Sequence, residues 1–366
     1  MTGTEYEIAH FRPEYESQVL EALSDLWKYD RDTRARLFRW KYLENPRADG
    51  PLGIVALHNG QVIGFRGYFA DRFVLDGHHD TIGVLHPGDT FVSPSHRNRG
   101  LSVAMGNLAM QYDASKYRFF MNMDCNRLSL PGYLAMGFQP LAKRVRLLQH
   151  GRNPLRWVVA IGSESRQARA VRFLHQGRIR LGQFGSIVVT DSPRAAEMAS
   201  IIAAEGRANG ALRLHQDQAF FAWRFRNPVR RYVFYFLLDQ DVYRAYVAMD
   251  VSANHLSGKI LDYGERDDGA LRKILGYINA SGAFLALSVL SYGVDERLRN
   301  AVTDLRFSAV HTLKSLMRKG SVEELALPLL IRPVAKAYTE EAFAIKGVDA
   351  RKFDNWRLKP ICSDGA

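Results

Sequence analysis

The sequence predicts an α/β protein of mixed sheets, built as two tandem domains of one design. Three observations carry this. Apolar strand-like runs alternate with helical stretches along the chain, the pattern of a layered α/β fold. Phe38-Arg39-Trp40-Lys41-Tyr42-Leu43-Glu44-Asn45-Pro46 recurs, with one gap, as Phe221-Ala222-Trp223-Arg224-Phe225-Arg226-Asn227-Pro228, its tryptophans 183 residues apart. Each copy is followed by a strand pair with a tight turn, and this shared sequel argues for a tandem duplication.

In the first half, helices are expected over Glu14 to Tyr29 and Asp32 to Leu43, the second stopped before Pro46. Gly53 to Leu57 and Gln61 to Tyr68 form a hairpin turned at Asn59-Gly60, the strongest short hairpin signal. A strand over Thr90 to Val92 is broken by Ser93-Pro94. A helix from Leu101 to about Lys116, a strand over Arg118 to Met123 and a short helix from Ser129 follow. In the second half, strands at Tyr232 to Leu238 and Val242 to Asp250 turn near Asp239-Gln240. A strand over Lys259 to Tyr263, a helix over Leu271 to Ile278 and a strand over Ala283 to Leu290 complete it. The expected division is an N-terminal domain over 1–142, a basic helical connector over 143–185, a C-terminal domain over 186–335 and an extension over 336–366.

The chain has 366 residues, 47% hydrophobic and 24% charged, which excludes a mainly disordered protein. No apolar run approaches the ~20 residues of a membrane-spanning helix, and the polar start, Met1 to Glu16, does not read as a secretory signal. Cys125 and Cys362 are too few for a disulfide framework or a multi-cysteine metal site, so no metal and a reducing cytoplasm are expected. The net charge of +12 comes from 38 arginines and 12 lysines against 38 acids. Arginine suits phosphate and carboxylate, but neither a nucleic-acid recognition motif nor an aromatic-interleaved basic stripe accompanies it.

Residues 143–182 hold ten basic side chains and one acid, Glu164. Two readings stand: a bridging helix packed between domains, or a contact with an anionic surface such as membrane head groups or a polyphosphate.

The sharpest signal begins at Asp89-Thr90-Phe91-Val92 and runs through Ser93-Pro94-Ser95-His96 into Arg97-Asn98-Arg99-Gly100-Leu101-Ser102. A strand ends at proline, and a short basic loop opens a helix, whose free N–H groups and dipole favour an anion. Gly100 permits positive φ or close backbone approach. The loop is neither a P-loop nor a dinucleotide fingerprint. After the next strand comes Asn126, then Tyr133-Leu134-Ala135-Met136-Gly137-Phe138.

On these two motifs, roughly residues 5–142 resemble the GCN5-related N-acetyltransferase (GNAT) superfamily. Arg97 to Ser102 is similar to its Arg/Gln-x-x-Gly-x-Gly/Ala pyrophosphate loop, with Ser102 departing at the last glycine. Asn126 with Tyr133 and Gly137-Phe138 is similar to its Asn…Tyr-x-x-x-Gly-Phe segment. The resemblance implies a sheet in which two parallel strands splay apart and admit the pantetheine arm of acetyl-CoA or another acyl-CoA. Phe91, Val92, the loop residues Arg97, Asn98, Arg99, Gly100, Leu101 and Ser102, and Asn126 would bind it; a strand-end cap is the other reading of Asn126. Tyr133 would protonate the departing thiolate, since a phenol of ordinary pKa about 10 holds its proton at neutral pH. The general base is open between Asp89, His86 and Asp124, with proton loss to solvent as a further route. Cys125 lacks a neighbouring histidine in sequence and reads as a buried thiol rather than a nucleophile.

In the second half the loop position holds Glu265, Asp267 and Asp268, acids that would repel a pyrophosphate. This half is therefore expected to be a degenerate copy without CoA, walling the acceptor cleft, with Tyr292 and His311 as residues that could reach the acceptor. Trp40 and Asn45-Pro46 persist in this copy and so read as structural; the pattern also resembles acyltransferases of surface-polysaccharide pathways. The expected function is acyl-CoA-dependent N-acyl transfer to a small amine or amino sugar. The alternative is a non-catalytic protein whose basic connector binds an anionic partner.

Overall fold

The computed structural model describes residues 6–142, 146–151, 178–205, 210–253, 257–291, 296–305, 308–309 and 329–363. The first half contains β1 (Tyr6–His10), α1 (Glu16–Ala22), α2 (Arg31–Phe38), β2 (Gly53–His58), β3 (Gln61–Leu75), β4 (Thr81–Val92), α3 (Leu101–Ala109), β5 (Phe119–Asn122), α4 (Leu130–Ala135) and β6 (Gln139–Ala142). Then come β7 (Arg146–Gly151), β8 (Gly182–Phe184), β9 (Ile187–Thr190), α5 (Ala195–Ala204), β10 (Leu212–Leu214), α6 (Gln218–Arg224), β11 (Tyr232–Asp239), β12 (Val242–Val251), β13 (Ser257–Glu265), α7 (Ala270–Ser281), β14 (Ala286–Ser291) and α8 (Glu296–Asp304). The chain closes with β15 (Ser308–Ala309), β16 (Leu329–Pro333), the small hairpin of β17 (Ala344–Ile345) and β18 (Val348–Asp349), and β19 (Trp356–Arg357).

Two mixed sheets form. One runs β1-β2-β3-β4-β5-β16-β6, the other β15-β7-β14-β13-β12-β11-β9-β8. In both, the hairpin after the repeated motif turns through two residues of positive φ: Asn59 and Gly60 in the first, Gln240 and Asp241 in the second. Such a turn matches the twist of its flanking strands. In both, Asn-Pro opens with the asparagine oxygen accepting a backbone N–H two residues on, from Arg47 to Asn45 and from Val229 to Asn227. The helical stretch before Pro46 is more irregular than its sequence suggests: α2 ends at Phe38 and Arg39–Leu43 widens into a π turn.

The two copies of the motif meet. Trp40 and Trp223 stack with ring centroids 5.5 Å apart. Trp40 Nε1 donates to the Trp223 carbonyl at 3.0 Å, and Trp223 Nε1 donates to the Trp40 carbonyl at 2.9 Å. This reciprocity marks a local two-fold relation between the halves and gives both tryptophans the structural role read from the repeat. Nearby, Arg47 grips both oxygens of Asp217 at 3.0 and 2.8 Å.

The expected boundaries differ from the sheets. The segment read as connector contributes β7, which lies between β14 and β15 in the second sheet. In return β16, from the end of the second half, lies between β5 and β6 in the first. Each half thus fills the corresponding slot of the other, and β10 adds a further crossing by pairing with β3. A strand's neighbour is a non-local choice that a run of apolar residues does not encode. The extension after 335 is wedged into the shared core: Phe343, Trp356, Ile361 and Cys362 are buried there with residues of both halves. Residues 152–177 of the basic stretch, together with Tyr292 and His311, lie outside the described residues.

Candidate functional site

Strands β4 and β5 pair in parallel only at Val84↔Phe119 and Leu85↔Phe120, and beyond these they part. The gap opens into a cleft of ≈ 810 Å³ reaching from Lys41 to Tyr133. On its open side β4 carries a bulge. Phe65 pairs with Phe91 and Gly67 with Gly88, so two residues, Asp89 and Thr90, oppose the single Arg66. Asp89 takes a left-handed φ of 45°, which an aspartate tolerates better than most residues.

The bulge aims Asp89 at three donors. Lys41 Nζ and the Tyr42 hydroxyl donate to Oδ2 at 2.6 and 2.5 Å, and Trp27 Nε1 donates to Oδ1 at 3.1 Å. Tyr42 reaches it across Gly67, where any Cβ would overlap the phenol. Both oxygens of the first candidate base are therefore engaged. The second, His86, is 3% exposed, faces Asp71 at 3.4 Å and is not on the cleft wall. The third, Asp124, lines the cleft, is exposed, and accepts the Ser363 hydroxyl at 2.6 Å. Of the three, Asp124 alone combines solvent exposure with a place on the wall.

At the other end lies the loop. Pro94–His96 forms a single 3-10 turn, Arg97 Nε donates back to the Val92 carbonyl at 3.0 Å, and Asn98 takes φ 62°. Gly100, at φ 72°, occupies the N-cap of α3 and no side chain caps that helix. Gly100, Leu101, Ser102 and Val103 of this helix start line the cleft, and an uncapped helix start suits an anion. Val92, Arg97 and Asn98 also line the cleft. Two expected contacts do not: the Phe91 side chain is buried in the core, and the Arg99 guanidinium lies over the Tyr6 ring, 5.7 Å from its centroid.

Tyr133, 6% exposed, lines the cleft from α4, its ring edge-on to Phe138 with centroids 4.9 Å apart. Asn126 also lines the cleft, and its Oδ1 accepts the N–H groups of Leu128 and Ser129, both at 2.9 Å. Cys125 is buried, and burial pushes its thiol above the ordinary range.

In the second half the same architecture closes on itself. Gly269, at φ 86°, is the N-cap of α7, as Gly100 is of α3. There, however, Glu265 Oε2 accepts the Leu271 N–H at 2.9 Å, so the chain's own carboxylate fills the helix start. Arg224, the counterpart of Lys41 in the repeat, holds the carbonyls of Ile361 and Ser363.

Sequence reasoning missed Trp27, Lys41, Tyr42 and Arg66. Lys41 and Tyr42 sit inside the repeated motif, and the basic-aromatic pair it preserves was the available signal. Among the described residues no group of three or more His, Cys, Asp or Glu side chains gathers as a metal site. Among the described residues no helix is long and apolar enough to cross a membrane.

This splayed sheet with its loop-and-helix anion site defines the acyltransferase class of fold. Residues 16–138 match the acetyltransferase (GNAT) family. A GCN5-related N-acetyltransferase from Anabaena variabilis is similar at TM-score 0.55 and 12% identity, over 90% of this chain and 73% of that one. Saccharomyces cerevisiae N-myristoyltransferase with bound myristoyl-CoA is similar at 0.54 and 10%, over 90% and 83%. A tandem GNAT protein from the clavulanic acid biosynthesis pathway is similar at 0.51 and 12%, over 91% and 100%. At these identities the likeness is one of fold, and the fold is that of tandem GNAT proteins. No curated protein matches by sequence.

Proposed function

We propose that the chain is an acyl-CoA-dependent N-acyltransferase, using acetyl-CoA or a longer acyl-CoA, with a small amine or amino sugar as acceptor. The observation that carries this is the uncapped start of α3 behind Gly100, opening onto the β4–β5 gap with Tyr133 on its wall. The pyrophosphate would rest on the N–H groups of α3 with Arg97 beside it. The pantetheine arm would run along the open edge of β4.

The acceptor amine attacks the thioester carbonyl carbon, and a backbone N–H of β4 near Val92 stabilises the oxyanion. As the C–S bond breaks, its electron pair goes to sulfur, which takes the proton of Tyr133. Asp124 receives the amine's surplus proton or passes it to solvent. Asp89 holds Lys41, Tyr42 and Trp27 in place beside the cleft.

The second half binds no CoA in this reading, because Glu265 already occupies its helix start. Its work is to wall the cleft and complete the first sheet. Both cysteines are free buried thiols, as suits the cytoplasm in which we place the protein.

Isothermal titration with acetyl-CoA and longer acyl-CoAs tests this. One site per chain, lost when Gly100 is replaced by valine, is the expected result. Two sites would refute the degenerate second copy. No binding of any acyl-CoA would overturn the transferase reading in favour of a non-catalytic binding protein. Tyr133→Phe is expected to lower turnover about 100-fold with CoA affinity within about twofold; unchanged turnover removes Tyr133 as the acid.

A further inference from the structure

Arg66 is 2% exposed, in the middle of β3. Among the described residues no carboxylate pairs with it. Its Nη1 donates to the Ser102 carbonyl at 3.1 Å, in the first turn of α3, and its Nε is buried without a partner. Its guanidinium carbon lies 4.9 Å from the centroid of the Tyr133 ring and 5.8 Å from that of Tyr68. Its Nη1 also reaches the Ser102 hydroxyl at 3.5 Å, and its guanidinium bonds the Tyr68 side chain. A cation sealed away from water is costly without a counter-ion, so a buried arginine whose partners are all neutral calls for a use.

The bulge supplies the geometry. β4 carries one extra residue opposite Arg66, and the Arg66 side chain lies on the face of the sheet covered by α3 and α4, where it meets Ser102 and Tyr133. The other charged and titratable groups near the pair include Tyr68 on β3, Tyr112 beyond α3, and Asp89, Lys41, His96, Arg97 and Asp124 along the cleft. Asp89 and Lys41 neutralise each other in their own contact. Arg66 is thus a cation against the phenol ring with no carboxylate partner among the described residues.

We propose that Arg66 is a positioning residue for the acid step. Tied to α3, it holds the Tyr133 ring against the cleft and supplies the positive charge that stabilises the phenolate left when Tyr133 gives its proton to the CoA thiolate. Electrons and protons balance within the step. The C–S pair becomes the thiolate lone pair, the phenolic proton moves to sulfur, and the phenolate regains a proton from solvent after product leaves. This rests on the reading of Tyr133 as the acid.

The test places a fluorotyrosine at position 133 of the full chain and follows its ¹⁹F titration in the parent, Arg66→Met and Arg66→Lys backgrounds. Arg66→Met is expected to move the midpoint to higher pH, by roughly one unit or more for a unit charge about 5 Å away at an effective dielectric near 20. Arg66→Lys should restore most of the shift. In turnover of the otherwise natural chain, Arg66→Met should lower kcat about tenfold with KM for acetyl-CoA within about twofold, and Arg66→Lys should recover it. Equal midpoints in all three backgrounds overturn the proposal. So does a weakened acetyl-CoA affinity with an unmoved midpoint, which would assign Arg66 to the phosphate site instead. If Arg66→Met fails to fold, Arg66→Gln takes its place, with circular dichroism as the check. If Tyr133→Phe leaves turnover intact while the midpoint still shifts, the acid reading falls and the electrostatic coupling stands, so the two failures are distinguishable.

Discussion

Replacing Asp89 with asparagine removes one charge from the most densely bonded carboxylate of the cleft and almost nothing else. Asparagine is close in shape and accepts a left-handed φ of 45° as readily as aspartate, so backbone strain is unchanged. The amide has one acceptor oxygen where three donors converge. Whichever way it is turned, either Trp27 Nε1 or the Lys41–Tyr42 pair faces an NH₂ group. Lys41 is then a cation with a side chain 8% exposed and its nearest counter-charge gone. Breaking a buried pair by removing one partner costs about 3–5 kcal/mol. The residual 16% exposure of the Asp89 side chain places the expected loss at the lower end, about 3 kcal/mol. Urea unfolding at neutral pH measures it as a fall in midpoint at constant slope. In the double variant Asp89→Asn with Lys41→Met most of that loss should return, because the stranded charge is gone. A loss below about 1 kcal/mol for the single variant would refute the argument, since that is the scale of a solvent-screened surface pair.

Trp223→Phe should destabilise the chain by about 2–3 kcal/mol in the same assay, from lost ring packing and an orphaned Trp40 carbonyl; Trp40→Phe should cost a similar amount and the double variant less than the sum. Burial works against the charge of Asp217, but Arg47 and the Phe220 N–H together hold its carboxyl below the usual range. The stability difference between the natural chain and Asp217→Asn should therefore be full above the ordinary aspartate pKa and vanish as pH falls through the lowered one; urea midpoints from neutral pH to about pH 2 follow it. Arg97→Ala should weaken acetyl-CoA binding about tenfold, the effect shrinking at high salt, as titration at two ionic strengths would read.

Much of the fold could be read from short-range chemistry. Asn59-Gly60 fixes the first hairpin because only certain residues accept its two positive φ angles, and Gly100 marks the start of α3 for the same reason. The repeat was legible because Trp40 and Trp223 are large side chains with one donor each, and few neighbours satisfy both needs. What was not legible depends on partners distant in the chain. The β4 strand begins nine residues earlier than its strongest apolar run suggested, since Gly83, Pro87 and Gly88 look like breakers until β3 lies beside them. Asp89 read as a base because its donors Trp27, Lys41 and Tyr42 come from another part of the sequence. His86 read as a base on its ordinary acidity, and only packing shows it sealed against Asp71. Arg66 carried no local signal, since an arginine in a strand is usually at the surface.

The exchange of β7 and β16 has a consequence for how such a chain can change over generations. Either half, expressed alone, would present an unfilled edge in the centre of its sheet, the kind of surface that recruits stray strands and precipitates. The helix start of the second half is closed by Glu265, yet that half cannot be deleted, because it lends a strand to its neighbour and borrows one back. A gene that arose by copying would in this way have become unable to discard the copy. Selection on catalysis in one half then acts as selection on foldability in the other, and substitutions there should be tolerated at the old helix start and resisted along β16.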